Sequence, residues 1–370
     1  MRILEVCVDL DGGGIDRYLL NYCSRIPEIQ FDFAVVDNNK IGILEPQLEA
    51  LGCHIYRVPR QSYGVRANYN AIKKILTDNH YDAVHVHLGY RGAVALWCAK
   101  RCGVKTRIVH AHIAAEPESG KQRLIRKGFT WLVKRLATHL AACGVDAAKW
   151  VWGAKTYAKG KVTIHNNAIE TAKYAYSAET RATVRAELGI GEDTLVVGHV
   201  GRLCAQKNQL RLLDIFGEIH RLQPDSVLLL VGRGDLDEAI RSKAEEKGLT
   251  DVVRLLGVRD DVPRLLSAFD TFVFPSTHEG LPFTLIETQC NGLPAVSADT
   301  VTPLVKLGED VEFLSLSQSD TAWAQAALSA AQRGHDCEGA RCVADAGYDI
   351  DREAARLRDY YVKMIEAGRT

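Results

Sequence analysis

The stretch Phe274-Pro-Ser-Thr-His-Glu-Gly-Leu-Pro-Phe-Thr-Leu-Ile-Glu-Thr-Gln-Cys-Asn-Gly-Leu-Pro294 decides the fold. It begins at the end of an apolar run, Thr271–Phe274, crosses a loop of small and polar residues, and enters a segment with helical apolar spacing. Asn291-Gly-Leu-Pro then stops the helix and leads into a second apolar run, Pro294–Ser297. Strand, loop, helix, turn and strand in that order make a parallel crossover unit. A proline is pre-organised for a first helical turn, where its missing N–H costs nothing, so the helix is expected to start near Pro282.

The same alternation runs outward in both directions. Toward the N-terminus, Ile3–Val8, Phe31–Val36, His54–Val58, Ala83–His87 and Arg107–His110 read as short strands. Amphipathic segments such as Ile15–Arg25, Tyr69–Asn79 and Gly92–Cys102 lie between them. A second series comprises Thr194–Val200, Ser226–Val231, Val252–Leu256, Thr271–Phe274 and Pro294–Ser297. The 370 residues exceed what one core usually holds. Two α/β domains are therefore expected, 1–170 and 171–348, joined near Asn166–Tyr176, with a last helix over Asp351–Ala367. Parallel sheets bind ligands beyond the carboxyl ends of their strands, so chemistry should fall just after strands.

Bulk composition narrows the function. Lysine plus arginine and aspartate plus glutamate are 46 each, which leaves no global field to attract nucleic acid. Ten cysteines contain no CxxC pair and no zinc-ligand spacing, so reduced, intracellular thiols are expected. Met1–Val8 reads as a buried strand and not an export signal, and no run approaches the roughly 20 apolar residues of a membrane span. A cytoplasmic protein, at most peripheral on a membrane, is the expectation.

Candidate site residues follow the strands. The helix near Pro282 would present the N–H groups of Leu281, Phe283 and Thr284, with the positive dipole end, to an anion such as a diphosphate. Glu279 before the helix and Glu287 inside it could accept from sugar and ribose hydroxyls. In Val197-Gly-His-Val-Gly-Arg-Leu-Cys-Ala-Gln-Lys-Asn-Gln209, Arg202 and Lys207 stand five apart at a strand mouth, where both can reach a diphosphate. Leu229-Leu-Val-Gly-Arg-Gly-Asp235 and Leu255-Leu-Gly-Val-Arg-Asp-Asp-Val262 are two further strand-to-glycine turns, and Asp9-Leu-Asp-Gly-Gly-Gly14 is a third. His87, His110 and His112 lie near strand ends, where packing roles are common. Asp-x-Asp occurs at Asp9–Asp11, Asp235–Asp237 and Asp349–Asp351, which is too frequent to single out a metal site; no metal or cofactor is expected.

Taken together, the Glu279/Glu287 spacing within its Pro-Ser, Glu-Gly and Asn-Gly-Leu-Pro frame resembles the E-x7-E signature of retaining glycosyltransferases of family four. Gly201-Arg202 through Lys207-Asn208 resembles the phosphate motif of the same family, and Asn166-Asn-Ala-Ile-Glu170 resembles its hinge. The resemblance implies the α/β GT-B fold: two Rossmann-like domains facing across a donor-binding cleft, the last helix completing the N-terminal one. It implies that Arg202 and Lys207 hold the leaving diphosphate, Glu279 the transferred sugar, and Glu287 the ribose. Gly13 and Gly14 would lie over the donor phosphates. Gly201, Gly232, Val258, Gly280, Leu281, Pro282, Phe283 and Thr284 would line the nucleotide. His112, or His110 one strand pitch back, would bond the donor sugar. Where the family has Gly-Phe-Gly, this chain has Gly280-Leu281-Pro282-Phe283.

The implied reaction moves a hexose or N-acetylhexosamine from a nucleotide-diphosphate sugar, with uridine the expected base, to a saccharide or lipid-linked acceptor of cell-surface polysaccharide assembly. A front-face path is implied, in which the leaving phosphate takes the acceptor's proton. Lys121–Leu136 carries six basic residues, no acidic ones, and Phe129 with Trp131, the pattern of a helix on an anionic membrane surface or of one packed on the sheet. The alternatives are a sugar-nucleotide epimerase or hydrolase on the same fold, and a non-catalytic sugar-nucleotide-binding relative.

Overall fold

The computed structural model describes all residues except Gly12, residues 114–117, Gly280 and Thr370. The chain divides into two units. Unit 1 comprises Met1–Ala168 and Ile350–Thr370, and unit 2 comprises Ile169–Asp349. The chain therefore passes between units twice, and the residues flanking the two passages pair: the Ile169 N–H donates to the Tyr348 carbonyl at 2.9 Å. Thr171 Oγ1 donates to the Asp349 carboxylate at 2.7 Å beside them.

Unit 1 holds strands β1 (Arg2–Cys7), β2 (Gln30–Val36), β3 (His54–Val58), β4 (Ala83–Val86), β5 (Thr106–Ala111), β6 (His139–Ala142) and β7 (Val162–Ile164). They form one sheet in the order β3-β2-β1-β4-β5-β6-β7, with every pairing parallel. Helices cover the faces, and buried Leu96, Val84, Val109 and Trp152 belong to one core. The Trp152 indole finds its partner in the Ala141 carbonyl at 2.8 Å. The last helix, Ile350–Arg369, buries Leu357, Tyr361 and Ile365 within this unit.

Unit 2 holds β8 (Leu195–Val200), β9 (Ser226–Val231), β10 (Val253–Gly257), β11 (Thr271–Phe274), β12 (Ala295–Ala298) and β13 (Val311–Leu314). Their order is β10-β9-β8-β11-β12-β13, again all parallel. Ser226–Val231 is buried along its whole length, as expected of an apolar strand covered on both faces. Trp323 is fully buried against Leu230 and Phe216.

Two parallel α/β sheets are what the sequence predicts. In each, the strand order reverses beside the first strand, between β1 and β4 and between β8 and β11. Segments leaving such neighbours turn to opposite faces of the sheet and open a crevice above the strand ends.

Candidate functional site

In unit 2 the loops at that reversal are joined by backbone and side-chain hydrogen bonds. The β8 and β9 ladder continues into the loops, with the Gly201 N–H donating to Val231 at 2.9 Å and the Gly232 N–H to Gly257 at 2.8 Å. Gly232 has φ +134°, and a Cβ there would stand 2.1 Å from the Gly201 carbonyl oxygen, so only glycine fits. Gln209, fully buried at the start of helix Gln209–Leu222, anchors the first loop. Its amide donates to the Arg202 carbonyl at 2.8 Å, and its oxygen accepts from the Cys204 N–H at 3.2 Å. The same amide lies 3.2 Å from His199 Nε2, while His199 Nδ1 lies 3.0 Å from the Val273 carbonyl. His199 therefore carries its proton on Nδ1 and accepts on Nε2. Burial pulls its pKa down to about 4, so it stays neutral.

The loop after β8 is tied to the loop after β11. Asn208, in the left-handed region at φ 59°, donates from its side chain to the Pro275 carbonyl at 3.1 Å. The Thr277 N–H donates to Gln206 at 2.8 Å, and the Gln206 amide to His278 at 2.9 Å. These ties bring Lys207 to Glu279, with Nζ 2.7 Å from Oε1. The same ammonium lies 4.6 Å from the centre of the Phe274 ring, a cation–π contact. Arg202 is exposed, and its guanidinium makes no ion pair among the described residues.

The helix after β11 spans Phe283–Cys290, with Pro282 as its extended cap (ψ 122°) and not its first turn. The N–H groups of Phe283 and Thr284 precede the first carbonyl partner available inside the helix. Pro282 and Phe283 are buried, Leu281 and Thr284 half-buried, and Gly280 lies outside the described residues. Glu287 is 2% exposed and accepts from the Tyr174 hydroxyl at 2.8 Å. Val258 follows Gly257 and is 62% exposed. Gly201, Arg202, Lys207, Gly232 and Glu279 thus gather at one crevice, while Glu287 sits deeper, along the helix.

Unit 1 places Gly13 as the cap and Gly14 as the first residue of helix Gly14–Cys23. The Gly13 N–H already donates to the Asp16 carboxylate at 2.9 Å. At the carboxyl ends of β4, β5 and β7 lies a cluster of imidazoles, His85, His87, His110, His112 and His165, all but the half-buried His112 within 3% of full burial. His112 Nε2 is 2.8 Å from His87 Nδ1, and His87 Nε2 is 2.6 Å from Glu5. Tyr361 donates to Glu5 at 3.2 Å and lies 2.6 Å from His85 Nδ1; His85 Nε2 is 3.3 Å from His110 Nδ1. Ring nitrogens of His85, His87 and His110 come within 4.8 Å of one another. Hydrogen bonds engage both nitrogens of His85 and of His87, so the set forms a hydrogen-bonded chain. His110 sits inside this chain, and His112 is its outward end.

Sequence reasoning passed over Gln209, Asn208 and Tyr174, which hold the charged groups in place, and His199, which orients Gln209. All but Tyr174 stand inside the motif from Val197 to Gln209, read there only for its cations. Glu5 was passed over as part of an apolar strand.

Residues 180–333 match the family model described as glycosyl transferases group 1, and residues 13–151 match that of the glycosyl transferase 4-like domain. A protein named as a glycosyltransferase, EpsF of Bacillus subtilis (strain 168), is 30% identical over 97% of this chain and 96% of its own length. An Escherichia coli protein named UDP-Gal:alpha-D-GlcNAc-diphosphoundecaprenol alpha-1,3-galactosyltransferase is 27% identical over 95% of this chain and 94% of its own. In fold, the chain is similar to Anabaena HepE solved with UDP-glucose, with TM-score 0.78 at 20% identity over 97% of this chain and 100% of that one. The two sheets and these likenesses define a glycosyltransferase enzyme of the GT-B class. The chain belongs to the glycosyl transferases group 1 family, family four of the GT-B glycosyltransferases.

The buried imidazoles make unit 1 acid-sensitive. Burial holds His87 and His165 down to about 3 and lowers His85 and His110 as well, against about 6.5 in an unfolded chain. Below pH 6.5 the unfolded state binds more protons than the folded one, so stability falls as pH drops from 6.5 toward 3. Each such histidine contributes about 1.4 kcal/mol per pH unit in that window. Glu5, pushed up to about 8 by burial, acts in the opposite sense, but by one proton against several. The urea midpoint should fall steadily between pH 6.5 and 4, and His165→Phe should flatten that slope by one proton; an equal slope would remove His165 from the account.

Proposed function

We propose that this glycosyltransferase moves a hexose or N-acetylhexosamine from a UDP-sugar, with retention of configuration, to a saccharide or lipid-linked acceptor in cell-surface polysaccharide assembly. The observation that carries this reading is the pair of tied loops that fixes Lys207 against Glu279 in the crevice where β8 and β11 end. Donor and acceptor draw support from the E. coli relative, whose name specifies UDP-Gal and a diphosphoundecaprenol-linked sugar.

In this reading a diphosphate draws Lys207 and Arg202 to its oxygens, while the N–H groups at Phe283 and Thr284 point positive charge at it. Leu281 and Pro282 shape that turn against the phosphates, and Gly201 lets the β8 loop approach. Glu279, relieved of Lys207, accepts from hydroxyls of the transferred sugar, and Glu287 accepts from the ribose hydroxyls. Gly232 and Val258 lie toward the nucleotide. Gly13 and Gly14 contribute close main-chain approach to the donor and not anion capture, since Asp16 already caps that helix. His112 is assigned a hydrogen bond to a sugar hydroxyl. The bond from the anomeric carbon to the β-phosphate oxygen breaks, and the acceptor oxygen bonds to the same face of that carbon. The acceptor's proton passes to the leaving phosphate, releasing the nucleoside diphosphate. Two side-chain cations and a helix end supply the positive charge, so no metal ion is needed.

Membrane association belongs to the same reading. Helix Gly120–Leu136 buries only Thr130, Val133 and Leu136. Leu124 and Trp131 are 73% and 57% exposed among its cations, and Arg135 stacks on Trp131 at 4.3 Å. That face suits the anionic inner surface of the cell membrane, where apolar side chains enter the headgroup layer and each nearby cation adds about 1 kcal/mol. No helix of the described residues is long and apolar enough to cross a membrane.

Lys207→Ala should lower the rate of nucleoside diphosphate release in the presence of acceptor by roughly 100-fold, with an unchanged circular dichroism spectrum; wild-type turnover would reject the phosphate assignment. Glu287→Ala should weaken UDP binding about tenfold by calorimetry, the cost of one charge-assisted hydrogen bond, and equal affinity would remove the ribose contact. The protein should co-sediment with vesicles containing phosphatidylglycerol at low salt and not with phosphatidylcholine alone. Trp131→Glu should abolish this, and binding indifferent to both changes would remove the membrane face.

A further inference from the structure

Glu5 is a buried carboxyl inside the imidazole cluster of unit 1. It lies midway along β1, is 1% exposed, and has no lysine or arginine partner among the described residues. An isolated buried carboxylate is strongly disfavoured, so its neighbours must justify it. Those neighbours form a line: His112 Nε2 to His87 Nδ1 at 2.8 Å, then His87 Nε2 to Glu5 Oε2 at 2.6 Å. His112 Nδ1 has no partner among the described residues, and His112 is the member of the line that is not fully buried.

We propose that Glu5 is a positioning residue for the donor sugar: relayed by His87, its carboxyl sets which nitrogen of His112 carries the proton, and so whether Nδ1 donates to or accepts from a sugar hydroxyl. The proposal rests on the assignment of His112 to the sugar made above.

The hydrogen count leaves two arrangements. When Glu5 is a carboxylic acid it donates to His87 Nε2; His87 then donates from Nδ1 to His112 Nε2, and the His112 proton sits on Nδ1 as an outward donor. When Glu5 is a carboxylate it accepts from His87 Nε2–H; His87 Nδ1 accepts from His112 Nε2–H, and His112 Nδ1 is an outward acceptor. Passing from the first to the second moves the Glu5 proton to His87 Nε2 and the His87 Nδ1 proton to His112 Nε2, and releases the His112 Nδ1 proton. One proton leaves, at the half-buried His112 end of the line.

Burial pushes Glu5 up to about 8, and the Tyr361 hydrogen bond works against that rise. His87, held down to about 3, remains neutral throughout and acts only as the relay. The titratable groups around Glu5 are Cys7 on its own strand, Tyr18 and Cys23 on helix Gly14–Cys23, Cys53 just before β3, His85 and His87 from β4 and the turn after it, and Tyr361 on the last helix. His110, His112 and His165 lie beyond them. Burial raises the thiols and phenols and lowers the imidazoles, so Glu5 is the group of this set that changes charge near pH 8.

The test uses the full chain labelled with ¹⁵N-histidine, followed from pH 6 to 9.5 by nitrogen chemical shifts, alongside kcat/KM for the UDP-sugar. In the wild type the His112 proton should move from Nδ1 to Nε2 near pH 8, with a roughly fivefold step in kcat/KM, the worth of one sugar hydrogen bond. Both changes should vanish in Glu5→Gln and in His87→Phe, while affinity for UDP, which lacks the sugar, stays level. Tyr361→Phe, which removes a bond that favours the carboxylate, should move the step to higher pH; it serves if Glu5→Gln fails to fold. A step that persists in Glu5→Gln or ignores Tyr361→Phe overturns the proposal, as does a His112 tautomer that does not change. If the tautomer changes but His112→Ala keeps wild-type donor kinetics, the assignment of His112 to the sugar fails, and the positioning role with it.

Discussion

The pairing of β8 with β11 is the constraint on which the crevice of unit 2 depends. These strands are neighbours in space and far apart in sequence, with β9 and β10 on one side and β12 and β13 on the other. Backbone hydrogen bonds in a parallel ladder fix where each strand ends, and therefore where Gly201 and Pro275 begin their loops. The chain then ties those loops together through Asn208, Gln206 and Thr277. A cation from one loop and a carboxylate from the other meet only because both sets of bonds are made. Replacing any one tie would leave both charges present and their meeting undefined.

The Lys207–Glu279 pair is better understood as a placement device than as a source of stability. The two side chains are only 15% and 9% exposed, so the cost of desolvating them offsets much of their mutual attraction. The contact at 2.7 Å meets the distance of an ion pair, yet Glu279 Oε1 lacks an aligned hydrogen bond, so the carboxylate is not locked by it. A diphosphate carries more charge than one carboxylate and can compete for the ammonium at modest cost. The Phe274 ring, 4.6 Å from the ammonium, gives Lys207 a second contact on the crevice side. Arg202 has no such holding contact among the described residues.

What was legible in the sequence were strand ends and the charges beside them. Strands such as Ser226–Val231 declare themselves by continuous apolar, β-branched runs, and Arg202, Lys207, Glu279 and Glu287 by following them. The strands that escaped notice, β6, β7 and β13, are a four-residue run of His-Leu-Ala-Ala, a three-residue run, and a run broken by exposed Glu312. None carries a pattern that outweighs its length, and tertiary pairing alone makes them strands. Pro282 sits one residue earlier than a first-turn proline because the loop arrives extended, which local preference does not foretell. Gln209 and His199 act through backbone carbonyls, and a carbonyl has no signature in sequence. Glu5 is the extreme case, since its partner Tyr361 stands 356 residues away.

The two units solve opposite electrostatic problems. Unit 2 sets its charged side chains at a crevice, with Lys207 paired to Glu279. Unit 1 buries a carboxyl and four imidazoles where a charge is costly, and makes them tolerable by hydrogen bonds passed from ring to ring. A chain of that kind carries information along its length, because each neutral imidazole donates at one nitrogen only if it accepts at the other. The last helix reaches this chain from the far end of the sequence, having crossed back from unit 2. Tyr361 therefore makes the protonation state of the chain depend on how that helix is seated, and a local hydrogen-bond count becomes a property of the whole fold.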